Sequence, residues 1–151
     1  MSQMPQPTHT PWIDRFNTPS IDTLLEQYES HALTLAQNAL KGLTEIVETE
    51  PAIEWKGLPW RWTCVYRAEG EPEPCVYLIP TPDWPSIAMP VPASVVEELL
   101  AKRSSSRYIK ETLLHACQVG HIRWAEWSIQ GRAQLSDVLG LAQGIINGQP
   151  V

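Results

Sequence analysis

Positive charge is scarce in this chain: Lys and Arg number 11 against 17 Asp and Glu, a net charge of −6. A nucleic-acid surface gathers cations along one face to neutralise phosphates, and this balance excludes that footprint. Cysteine is sparse as well. Cys64, Cys75 and Cys117 form no metal-spaced pair, and the odd count argues for a reducing compartment. Long hydrophobic runs are missing, with none near the roughly 18 residues of a membrane span. The opening MSQMPQPTHT has neither the basic nor the apolar region of a secretory leader. No GxSxG, no HExxH and no phosphate-cradling glycine loop occurs. These absences predict a cytoplasmic domain with no nucleic-acid or membrane partner and no recognisable catalytic signature.

The chain has enough length and apolar content to fold without a scaffold. At 151 residues and 43% hydrophobic, folding removes about 68–70% of the unfolded surface from water. Fourteen prolines and seven tryptophans are its two compositional excesses: the prolines fall mainly in the N-terminal tail and from Pro51 to Pro92, the tryptophans between Trp55 and Trp127 with Trp12 apart. Residues 1–17 are polar and without periodicity, which predicts a flexible arm in which Trp12, Ile13 and Phe16 are able to fold back. Residues 18–148 form a single α+β domain.

Thr18, Pro19 and Ser20 form a helix start. Ile21, Leu24, Leu25, Tyr28, Ala32, Leu35, Ala39 and Leu43 recur at three- and four-residue steps. That stripe predicts a helix running to Glu48 with a break near Ser30. The period then changes to two. Ile53–Lys56, Trp60–Ala68, Cys75–Ile79 and Ser86–Val91 read as a meander of strands, with Pro90 placing the last at a sheet edge. Ser94 with Glu97 marks a capping box for a helix that the Ser104–Ser106 run ends. Ile109, Leu113, Ala116 and Cys117 form a second short helical stripe stopped by Gly120. His121–Gln130 reads as a fifth strand, and a last helix follows Gly131 and closes at Gly148 and Pro150. The order is α-β-β-β-β-α-α-β-α: a five-stranded antiparallel (mixed) sheet with helices packed on one face.

The run WKGLPWRWTCVYR, then CVYLIP, then WPSIAMPV, and later HIRWAEWSI before a closing helix, resembles the small bacterial YdhG-like proteins over about residues 20–147. Two positions depart from the pattern. Pro59 to Trp62 replaces a Gly-Trp strand start, and Leu78-Ile79-Pro80 lacks the tyrosine at a strand end. The resemblance implies a frataxin-like α/β sandwich, and some relatives of that architecture are understood to handle iron. It carries over no functional residue, because fold alone does not fix chemistry.

Three constellations are candidates for function. The first is a sheet face carrying Arg61, Thr63, Val65 and Arg67, joined by Trp84, Arg123 and Trp124. Arginine beside tryptophan suits an anionic or planar ligand through forked hydrogen bonds and stacking. The plainer alternative is core tryptophans with arginine stems laid along exposed sheet. The second is Asp22, Glu26 and Glu29, at i, i+4 and i+7 on the first helix. Hard cations prefer such oxygen ligands, so iron is the alternative cofactor to none; a solvated helix face is the plain reading. The third is thiol chemistry. Cys64 and Cys75 lie on neighbouring strands but among apolar residues, where a thiol acts as a small hydrophobe. Cys117 and His115, two apart on a helix, point to different sides. In the last helix Gly140, Gly144 and Gly148 fall every fourth residue and outline a groove for tight packing. The functional expectation is a non-enzymatic binding domain for a small molecule or protein, using the Arg/Trp face. Iron handling through the acidic helix is the alternative, and an enzyme of unidentified class is a third.

Overall fold

The computed structural model describes residues 10–103 and 106–148. The first nine residues of the expected arm lie outside that range, as do Ser104, Ser105 and Pro150. In chain order the elements are α1 (Thr10–Ile13), α2 (Ile21–Leu25), α3 (Ser30–Val47), β1 (Ala52–Trp55), β2 (Trp62–Tyr66), β3 (Val76–Ile79), β4 (Ser86–Pro92), α4 (Ala93–Ala101), α5 (Arg107–His115), β5 (Cys117–Val119), β6 (Ile122–Ser128) and α6 (Arg132–Asn147).

The first apolar stripe divides where a break was expected. The Ser20 hydroxyl accepts the Thr23 amide at 3.1 Å and caps α2. The chain leaves the helix after Leu25 because the next side chains are tied elsewhere. Gln27 Nε2 donates to the Pro80 carbonyl at 2.7 Å, and the buried Tyr28 hydroxyl donates to the Thr81 carbonyl at 2.6 Å. Helix α3 restarts from Ser30, which holds a left-handed φ of 38°. Its core face comprises Leu35, Ala36, Ala39 and Leu43. Ser106, the last of the serine run, caps α5 by accepting the Ile109 amide at 3.4 Å. The Ser94–Glu97 capping box does not form: α4 starts at Ala93 behind Pro92, so Ser94 already lies inside the first turn.

The strands form one antiparallel sheet in the order β1-β2-β3-β4-β6-β5. It has six strands where five were expected. The additional one is β5, over residues assigned from the sequence to the end of a helix. Gly120, at φ 62°, makes the tight turn of the β5–β6 hairpin and not a helix cap. The edge position expected for β4 is also overturned, since β4 pairs with both β3 and β6. Pro90 is tolerated there because β3 pairs only with Ser86–Ala88, so no β3 residue lies beside it.

The two faces of the sheet are covered differently. Cys64, Tyr66, Leu78, Ile87, Met89 and Trp127 face a core built with α3, α4, α5 and α6. Each large aliphatic side chain fully buried there contributes roughly 1.5–3 kcal/mol. On the other face Val65, Tyr77 and Ala88 join a second cluster with Trp12 of α1, Leu24 of α2 and Trp60. The expectation of helices on one face therefore holds for α3–α6 alone. Within the arm, Trp12 is 7% exposed, and its Nε1 donates to the Trp60 carbonyl at 3.0 Å; Ile13 and Phe16 remain exposed. The glycine stripe of α6 does not act as a unit. Gly140 is exposed, Gly144 is buried, and Gly148 is the left-handed cap at φ 67°. Among the described residues, no helix is long and apolar enough to cross a membrane.

Candidate functional site

The sheet face opposite α3–α6 carries a row of aromatic rings. Strand pairing sets Tyr77 beside Ala88, Ala88 beside Glu126, and Pro90 beside Trp124, so Tyr77, Glu126 and Trp124 share this face. The loop from Lys56 to Arg61 folds back over it. Arg61 holds a left-handed φ of 59°, and its amide donates to the Gly57 carbonyl at 2.6 Å. That turn breaks the alternation of the strand and drops Trp60 onto the sheet. Trp60 Nε1 donates to the Glu126 carboxylate at 2.8 Å, and its ring lies 5.0 Å from that of Tyr77. Trp124 continues the row at 6.2 Å from Tyr77. Lys56 sits 5.9 Å above the Tyr77 ring and 3.1 Å from Glu54. Burial pushes the Tyr77 hydroxyl pKa up, with Arg67 opposing. Trp124 is 42% exposed and is the outermost ring.

The arginines expected to bind a ligand here are engaged within the chain. The Arg67 guanidinium grips both oxygens of Glu54, with Nη2 to Oε1 at 3.2 Å, while its Nε donates to the Pro72 carbonyl at 3.1 Å. Arg61 lies 5.3 Å above the Trp12 ring. Arg123 is on the opposite face, paired with Val91; its Nη1 donates to the Leu113 carbonyl at 2.6 Å and satisfies the end of α5. Trp84 packs beside α3, edge-on to His31 at 6.0 Å, away from the row. Of the five residues, only Trp124 belongs to the exposed aromatic surface. Arg61 and Arg67 support its margin.

The acidic set does not converge either. The break after Leu25 puts Asp22 in α2, Glu26 at its end and Glu29 at the start of α3. Asp22 and Glu26 line a groove with Glu45 and Glu50, whereas Glu29 lines a hollow with His31 and Asp83. Among the described residues, no three His, Cys, Asp or Glu side chains approach closely enough to hold a metal ion. All three cysteines are free. Cys64 lies opposite Leu78 and not Cys75, and burial pushes its thiol up to about 12. His115 and Cys117 do border one hollow of about 510 Å³ with Trp124 and Glu126, because Cys117 stands on β5 and not on the helix.

Trp60, Tyr77, Lys56 and Glu126 are the members of the site that sequence reasoning missed. Strand parity was the available signal for Tyr77 and Glu126. Trp124 and Glu126 are two apart on one strand and share a face, and Arg123, the neighbour preceding Trp124, takes the other. The position of Trp60 depends on a left-handed residue that no periodicity announces. Comparison with protein families, with characterised proteins and with solved structures finds no match to this chain.

Proposed function

We propose that this chain is a small, non-enzymatic binding domain that engages a protein partner through the aromatic row of its sheet, with Trp124 as the anchor. The observation supporting this reading is the line Trp60–Tyr77–Trp124, whose end ring is 42% exposed. Large rings held by neighbouring rings lose little entropy on docking, and Trp and Tyr are the residues that dominate binding hot spots. Lys56 and Arg67 both pair with Glu54. They therefore form a polar margin to the aromatic row, held together by the one carboxylate that both cations share. The YdhG-like resemblance implies a fold and carries over no functional residue to this surface.

A displayed random-peptide library selected on the folded protein tests this. The expected result is a peptide family that binds wild type and loses at least about tenfold in affinity to Trp124→Ser. Leu114→Ser, a change at an exposed leucine of α5, should leave binding intact. Peptides that bind Trp124→Ser as well as wild type, or no enriched family at all, would overturn the proposal.

A further inference from the structure

A second surface, formed by α2 and α3 away from the aromatic row, has the shape and charge of a docking groove. Its cavity is about 610 Å³. Along α3 it is lined by Leu33, Gln37, Leu40 and Thr44, at steps of four, three and four residues on one helical face. That stretch is about 16 Å long at 1.5 Å per residue. Leu25 of α2 completes an apolar floor with the half-buried Leu33 and Leu40. The rim bears Asp22, Glu26, Glu45 and Glu50 against one cation, Lys41.

We infer that this groove docks a basic amphipathic helix of a partner protein, leucine-type side chains on its floor and lysines or arginines along its rim. The occupant follows from what the groove offers. Apart from Glu50, its lining belongs to α2 with its cap and to α3, whose backbone groups bond along the helices, and no strand residue lines it for an extended peptide to pair with. A helix brings its own backbone bonds satisfied and matches an apolar stripe by i, i+3, i+4 and i+7 anchors. The rim selects a positive partner. A second copy of this chain, with a net charge of −6, brings repulsion. A simple polycation satisfies the rim and leaves the leucine floor wet.

The probe is a fluorescein-labelled leucine–lysine peptide of about 12 residues, a little over three turns, with leucines at helical spacing. Fluorescence anisotropy should give a dissociation constant in the roughly micromolar range, and circular dichroism should show the peptide becoming helical. The double variant Glu26→Lys, Glu45→Lys should weaken binding at least about tenfold, and Lys41→Glu should tighten it. Both alter exposed side chains, and far-UV spectra of the free variants establish that they fold. A scrambled peptide of the same composition isolates bulk charge attraction. Equal binding of the scrambled peptide, an unchanged constant in the folded double variant, or no binding up to about 100 µM would each overturn the inference.

Discussion

Arg67 closes on Glu54 across the β1–β2 end of the sheet, one guanidinium nitrogen to each carboxylate oxygen. Both side chains are about one-third exposed, at 33% and 31%. The pair ties the margin of the aromatic face to the second strand, since Glu54 also holds Lys56. Hydrogen bonding from Arg67 is the main reason that the Glu54 carboxyl titrates below its ordinary value.

A folded-state pKa below the unfolded one adds stability above the unfolded value and loses it as pH falls through the folded one. Glu54→Gln should therefore cost about 0.5–1 kcal/mol at pH 7, the scale of a partly exposed bidentate pair. The difference from wild type should shrink as pH falls below 4.5, the ordinary value for this group. Urea denaturation of both proteins at neutral and acid pH measures it. A gap that stays constant with pH would show that the carboxylate charge is not what stabilises this edge.

The three thiols should react in a fixed order with a maleimide under native conditions. Cys117 on the exposed strand β5 comes first. Cys75 is half-buried and its thiol is raised by that burial, so it follows slowly. Cys64 should label only after denaturation. Mass spectrometry of peptides after timed labelling reads the order, and early modification of Cys64 would contradict the packing described for β2.

Substituting alanine for glycine should change stability with a sign set by position. At Gly140 an added methyl meets nothing within 4 Å, so Gly140→Ala should stabilise by about 0.5–1 kcal/mol through helix propensity. At Gly42 the methyl meets Leu139 Cδ1 at 2.7 Å, where α3 and α6 approach closely. The same change there should gain less, or lose. At Gly120 the left-handed φ penalises any side chain although the space is open. Thermal melts of the three variants should rank Gly140→Ala highest.

Much of the architecture was legible because periodicity reports burial directly. The stripe of α3 and the strands around Cys64, Leu78 and Ile87 follow from it. The failures share one cause: a local signal with two structural solutions. Gly120 suits a helix end as well as a hairpin turn, and the three residues of β5 are too few for alternation to decide. Pro90 marks a free strand side, but that side is created by the shortness of β3 and not by the sheet edge. The binding surface was harder to read. The arginines were counted as available because sequence spacing does not show Glu54, Trp12 or the Leu113 carbonyl as their partners.

Covering the sheet on both faces has a consequence for how freely this sequence can vary. Every residue of β2 and β3 is buried, whichever way its side chain points. A polar replacement at either parity there strands a group away from water. Strand β5 is exposed throughout, and its turn at Gly120 has open space around it. Tolerance to insertion is thereby concentrated at the tip of the β5–β6 hairpin. The fold can accept new sequence beside Trp124 without disturbing the strands that hold Tyr77 and Trp60 in place.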